Sequence, residues 1–515
     1  MSDLDRYFEQ CRLPPYPHQR FGIETLVKWD DPARGRTIGG CVFLTDETGA
    51  GKTKQVIDAA QILFRQGKVA NVVIVAPGAV RSVWYESELG ELAKHLWKGL
   101  HSLVVEHRSR PRAWTWETNA YAPLTWYISN FEFIRSEARL NELLADVSKH
   151  TLLVIDESAC VKNAQAKQTK AVRQLRKAAG RVVLLNGTPI SDKPFDLFSQ
   201  ANLLDPRILD CSSMTKFKAR YAVMGGYMAT TPWGKVPTQV LRYQNLDDLQ
   251  KRMGPYVLRR LKKDCIELPP KLDPVVLTAT LTPSTWKLYT DMREEMVSWL
   301  SATSVSTASQ AIVKVMRLSQ ITSGLLGGVE DVDGNILAPY QEIGSEKLDL
   351  LLDWLPLKLD EDPGLKLLIS CRFKPELERV VAALRQVYPG MAVGRICGGQ
   401  SREDRVEALK LMDPRTTPTG PATVVMTSAG AVGLTLTASH TVVRLSRDTS
   451  LYTWLQGEDR VHRPTQTSPV SYFDVIAEGP RGQKTIDKAI LAALIAKHDI
   501  ATWTTAAWVQ KIQEE

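Results

Sequence analysis

The stretch CVFLTDETGAGKT, residues 41–53, decides the fold. A short apolar run leads into a glycine-rich turn, and the helical pattern KQVIDAAQILFRQG (54–67) follows directly. Strand, tight turn and helix in that order make a phosphate-binding loop. Glycines let the backbone curl so that its N–H groups surround phosphate oxygens at the positive end of the helix. Thr48, Gly49, Ala50, Gly51, Lys52 and Thr53 are therefore the candidate nucleotide contacts. Lys52 would neutralise the β- and γ-phosphates, and the Thr53 hydroxyl would hold Mg²⁺.

Such a site needs a second half, an acidic pair at the end of an apolar strand. LLVIDES (152–158) supplies it, 156 − 52 = 104 residues after the lysine. Asp156 would hold Mg²⁺ and Glu157 would polarise the attacking water.

Further out, short continuous apolar runs recur in two groups. VVIVA (72–76), WYIS (126–129) and VVLL (182–185) join the two strands above; KLLIS (366–370), TVVM (423–426), TVVRL (441–445) and SYFDVI (471–476) form the second group. Continuous rather than alternating runs fit strands covered on both faces, hence parallel sheets with helices between them, such as ELERVVAALRQVY (376–388). The expected fold is α/β, two lobes with parallel sheets plus helical protrusions between them. The N-terminal lobe is placed at 1–265 with a protrusion near 192–262, and the C-terminal lobe at 266–515 with an insertion near 280–342.

Hydrophobic residues at 44% and charged residues at 24% suit buried cores and exclude wholesale disorder. The net charge, 65 − 57 = +8, suits a polyanionic partner without naming one. Seven scattered cysteines without a C-x-x-C pair argue against a disulfide framework or structural zinc. Residues 416–443 carry no Asp, Glu, Lys or Arg, but ten Ser/Thr and two prolines make them too polar for a membrane span. His18, His440 and His462 are assigned structural roles, because no His/Cys cluster exists.

The motifs together resemble the Snf2 group of superfamily 2 helicases from about Pro14 to Lys488. Asp46 stands where the generic loop has its first glycine, as in that group's "DE.G.GKT" loop. PPYPHQRFGIETL (14–26) looks like the adenine-contacting segment, with Gln19 at the glutamine position. VIVAPGAVRSVWYESE (73–88), YISNFEFIR (127–135) and LLNGTPISDKPFDLFSQANLLDP (184–206) resemble motifs Ia, Ib and III. LRRLKKDCIELPPK (258–271) matches the arginine pair and linker, and LLISCRF (367–373) motif IV. TSAGAVGLTLTASHTVV (427–443) and QGEDRVHRPTQ (456–466) look like motifs V and VI. FKARY (217–221) with NLDDL (245–249) is also similar to the annealing-helicase subgroup.

The resemblance implies two RecA-like lobes that hydrolyse ATP with Mg²⁺ as a DNA-dependent ATPase. It adds Gly433 to the ATP contacts and gives Gln456, Arg460 and Arg463 catalytic roles; the two arginines lie three apart, on one face of a helix, and reach the γ-phosphate from the opposite lobe. Ser129, Asn130, Arg372, Thr427, Thr435, Arg259 and Arg260 become candidate DNA contacts. Basic runs add Lys167, Lys170, Arg173 and Lys177 on one helix face, and Arg108, Arg110 and Arg112 before Trp114 and Trp116. The sequence departs from the pattern at Ser158-Ala159, where the box histidine is missing, and at Asn186 and Ser428. The expected function is ATP-driven translocation on double-stranded DNA, remodelling or reannealing branched DNA or displacing bound proteins. Alternatives are a strand-separating DNA or RNA helicase and an ATP-binding scaffold without motor activity. A monomer in a prokaryotic or phage-infected cytoplasm, without membrane association, is expected.

Overall fold

The computed structural model describes residues 4–28, 40–85, 90–107, 112–116, 122–187, 194–231, 234–302, 308–330, 336–427, 434, 436–463 and 466–496. The chain divides into two compact units, Met1–Ile266 and Glu267–Asp499.

The first unit holds an eight-stranded sheet built from β1 (Cys41–Leu44), β2 (Asn71–Ala76), β3 (Ser102–Glu106), β4 (Arg112–Trp116), β5 (Leu124–Asn130), β6 (Thr151–Ile155), β7 (Arg181–Leu185) and β8 (Val257–Leu258). Its order is β8-β1-β7-β6-β2-β5-β3-β4, parallel except for the antiparallel edge pair β3–β4. The apolar runs are continuous because successive residues feed two cores. Phe43, Leu184, Ile155 and Val75 share one row of the sheet and one cluster, whereas Val42, Val183, Val154 and Ile74 pack on the other face. The central strands β1, β7, β6 and β2 thus lose both faces to the cores, as parallel strands do.

The second unit carries an all-parallel sheet of β9 (Val275–Thr280), β10 (Lys366–Cys371), β11 (Ala392–Ile396), β12 (Ala422–Thr427), β13 (Thr441–Arg444) and β14 (Ser471–Glu478). The order is β9-β14-β13-β10-β12-β11. The same division operates: Leu367, Ile369 and Val443 face one core and Leu368, Val424 and Val442 the other. A helix over 486–496 buries Ile490 and Leu494.

The protrusions are not helical throughout. The first contains helices Asp196–Leu204, Met214–Tyr221 and Leu246–Met253, and also an antiparallel hairpin, Ala222–Thr231 with Gly234–Tyr243. The second pairs Leu325–Glu330 with Ile336–Glu342. Phe195, Phe198, Phe217 and Tyr221 also join the sheet's own core, so the first protrusion is rooted rather than appended. Strand β9 escaped the sequence reading because it is an edge strand whose Val275 and Val276 lie about half exposed. All seven cysteines are free, and among the described residues no helix is long and apolar enough to cross a membrane.

Candidate active site

The site lies where the register of the first sheet puts it. Strands β1, β7 and β6 are neighbours, and their rows bring Leu44, Leu185 and Asp156 to the same carboxyl edge. Three loops leave that edge: residues 45–51 after β1, Asn186-Gly187 after β7, and Asp156-Glu157 after β6. Ligands of parallel α/β sheets bind at such edges.

The loop after β1 runs into α1 (Lys52–Arg65). Gly49 and Gly51 take left-handed φ of +87° and +80°, which side chains rarely adopt. Gly51 is constrained twice over, since a Cβ there would lie 2.3 Å from Gln19 Nε2. Gln19, buried on the preceding helix Pro17–Val27, donates from Nε2 to Ala50 O at 3.3 Å, and its Oε1 accepts from Tyr16 N. His18 donates from Nε2 to the same carbonyl at 3.0 Å. Burial, with the Arg260 charge nearby, pushes the His18 pKa down against the pull of that bond. Lys52 Nζ donates to Asp46 O at 2.8 Å and Glu47 O at 3.4 Å, which folds the ammonium over the loop.

Asp46, the residue that replaces the generic glycine, is wholly buried and anchors the loop from below. Arg260 reaches it with Nε to Oδ1 at 2.9 Å and Nη2 to Oδ2 at 2.5 Å. Gln55 Nε2 adds a bond to Oδ2 at 3.0 Å, and Arg260 also donates to Gln55 Oε1 and His18 O. Beside it Arg259 donates from Nη1 to Thr45 O at 2.8 Å and Gly187 O at 3.2 Å. Burial lowers its pKa to about 10. These placements correct the expectation that Arg259 and Arg260 contact DNA. Both guanidiniums point into the unit, because only an arginine fork satisfies a buried carboxylate and several carbonyls together.

Asp156 sits half-buried at the end of β6. Its Oδ2 accepts from Trp84 Nε1 at 2.8 Å and its Oδ1 from Glu157 N at 3.0 Å. Burial raises its pKa, opposed by the Trp84 bond and by the Lys52 charge, which places the ammonium within electrostatic reach of the carboxylate. Glu157 is half-buried with φ +52°. Among the described residues no group of three His, Cys, Asp or Glu could cage a metal. Thr53 and Asp156 suit Mg²⁺ instead, which prefers one or two protein oxygens with phosphate and water completing its shell.

The other expected DNA contacts fare differently. Ser129 is fully buried with its Oγ 3.4 Å from His107 Nδ1, so it faces the core rather than a ligand. Asn130 Oδ1 accepts from Phe133 N at 2.9 Å and serves the turn after β5. Arg372 donates to Ser319 Oγ and Arg447 O, and burial lowers its pKa; it braces its own unit. Thr427 is largely buried at the end of β12. Gly433 and Thr435 lie outside the described residues, as does the side chain of Gln456. By contrast Lys167, Lys170 and Lys177 are exposed along the helix Lys167–Ala178, with Arg173 half-buried, opposite buried Thr169, Val172 and Leu175.

Arg460 and Arg463 do not share a helix face. The helix Leu451–Glu458 ends before them; Arg460 is buried, and half-buried Arg463 donates from Nε to Asp459 O at 2.7 Å. The next residue in sequence is Pro464, and a proline keeps the residue before it out of helical geometry. Sequence reasoning also missed Trp84 and Gln55. Trp84 lies 72 residues from its carboxylate partner, so no local spacing could have indicated it.

The SNF2-related domain matches residues 18–324 and the helicase conserved C-terminal domain residues 346–465. The chain belongs to the SNF2-related family. Relatives within it include the yeast (Saccharomyces cerevisiae) TATA-binding protein-associated factor MOT1, 24% identical over 89% of this chain and 26% of that protein. The Xenopus laevis SWI/SNF-related matrix-associated actin-dependent regulator of chromatin subfamily A-like protein 1 is 26% identical over 90% of this chain and 42% of its own length. The human DNA annealing helicase and endonuclease ZRANB3 is 24% identical over 99% and 42%. The chain therefore spans less than half the length of each of these relatives. The Sulfolobus solfataricus SWI2/SNF2 ATPase core in complex with dsDNA is similar at a TM-score of 0.41, with 21% identity over 98% of this chain and 97% of that one.

Proposed function

We propose that this SNF2-family chain hydrolyses ATP with Mg²⁺ and uses the energy to move along double-stranded DNA. The observation that carries the reading is the convergence of Lys52, Thr53, Gly187 and the Asp156-Glu157 pair at one carboxyl edge. Lys52, loosely bonded to loop carbonyls, exchanges them for β- and γ-phosphate oxygens, and the α1 N-terminus adds its N–H groups. Thr53 and Asp156 would hold Mg²⁺, which would supply positive charge against the phosphates. Glu157 orients the water that attacks the γ-phosphorus and takes up its proton as ADP leaves. The Asp46–Arg260 anchor keeps the loop in shape before nucleotide arrives, which lowers the ordering cost of binding.

Duplex DNA is the track this reading favours, to remodel or reanneal branched DNA or to displace bound proteins. The exposed lysines of Lys167–Ala178 and the net charge of +8 support a phosphate-backbone partner that is held without base readout. The motor works as a monomer in the cytoplasm. ATP turnover measured with blunt duplex, forked duplex, single-stranded DNA and RNA tests the assignment. Stimulation greatest with duplex or forked DNA, falling steeply with salt as phosphate contacts release counterions, is expected. Stimulation by single strands alone would favour strand separation instead.

A further inference from the structure

The turn that carries Glu157 is tied down by a bond with no part in the steps above. Glu157 takes φ +52°, a left-handed conformation that persists for a non-glycine residue only where its surroundings hold it. The next residue, Ser158, is fully buried, and its hydroxyl donates to Gln200 Oε1 at 2.6 Å. Gln200, equally buried on the helix Asp196–Leu204, donates from its own Nε2 to Asp196 O at 2.8 Å, which fixes the amide's orientation. The segment leading to this helix begins at Gly187, whose added Cβ would lie 2.1 Å from Thr48 Oγ1 and whose carbonyl accepts from Arg259. Gly187 therefore lies against the phosphate loop and Gln200 against the acidic turn. Position 159, next along the turn, is alanine and offers no polar side-chain atom for the same task.

We propose that Ser158 and Gln200 are a pair of positioning residues that hold the Glu157 carboxylate where it orients the attacking water. The inference rests on the ATP-hydrolysis reading and deepens it by naming what fixes the general base. Neither residue touches the nucleotide; both act through the backbone of Glu157. Losing the bond loosens the turn and lets the carboxylate shift, and displacement on the ångström scale is enough to cost up to ~100-fold in rate.

The test is steady-state ATP turnover of the full chain with saturating duplex DNA for Ser158→Ala, Gln200→Met, the double variant and Ser158→Thr, alongside melting temperatures. Each of the first two should lower kcat roughly 10- to 100-fold with KM for ATP unchanged. The double variant should be no slower than the slower single, since both remove one bond. Ser158→Thr keeps the hydroxyl and should retain turnover. Near-wild-type kcat in Ser158→Ala and Gln200→Met, multiplicative losses in the double variant, or a Ser158→Thr as slow as Ser158→Ala would each overturn the proposal. A wild-type chain that hydrolyses no ATP would instead remove the hydrolysis reading, so the two failures are distinct.

Discussion

Arg260→Ala probes the anchor beneath the phosphate loop. Asp46 has no exposed surface and receives two of its three side-chain bonds from this guanidinium, at 2.9 and 2.5 Å. The variant leaves a buried carboxylate with Gln55 Nε2 alone, and also strips Gln55 Oε1 and His18 O of a donor. Breaking a buried pair by removing one partner costs about 3–5 kcal/mol, because the remaining charge stays desolvated. For a unit of this size that lowers its melting temperature by roughly 6–20 °C. The two units need not melt together, so calorimetry should be paired with amide hydrogen exchange, which assigns the loss to β1 and α1. Replacing both partners, Asp46→Leu with Arg260→Met, removes the stranded charge and should recover most of the loss. A decrease under about 1 kcal/mol for Arg260→Ala, or a double variant no better than the single, would refute the idea that the pair anchors the loop.

Lys52→Ala should abolish ATP turnover while both units keep their melting temperatures; normal turnover would mean the loop holds something else. Burial lowers the His18 pKa, so the unfolded chain binds more protons than the folded one below about pH 6.5. The first unit's stability is therefore fully present above that pH and lost as pH falls toward the folded-state pKa. Its melting temperature should drop more between pH 7.5 and 5.5 in the wild type than in His18→Gln, and equal drops would clear His18. Arg463→Ala tests the catalytic role that the motif resemblance implies, and turnover should fall while both units melt as in the wild type. Unchanged rates would restrict Arg463 to its bond with Asp459 O.

Much of the fold was legible because doubly covered parallel strands leave a plain trace. VVIVA, LLVI and the Leu367-Leu368-Ile369 centre of KLLIS are apolar throughout since alternate residues serve opposite cores. The edge strands left no such trace: Val275 and Val276 face outward, and β4 pairs antiparallel at the far edge. The phosphate loop and acidic pair were equally readable, as their chemistry dictates residue type at fixed short spacing. What supports them was not. Trp84, Arg260 and Gln200 reach the site from distant elements, so their roles depend on the sheet order that folding creates. Family position likewise suggested DNA contacts at Ser129, Arg259 and Arg372, whose polar atoms bond within their own units.

The central claim is that Glu157 drives hydrolysis of a nucleotide held by the Lys52 loop. Glu157→Gln keeps the shape and removes the base, so ATP binding and duplex-stimulated turnover measured on that one variant test the claim most directly. Tight ATP binding with no turnover above background, beside a wild type stimulated by duplex, is the predicted result. Turnover in Glu157→Gln matching the wild type, or a wild type that never hydrolyses ATP, would contradict it.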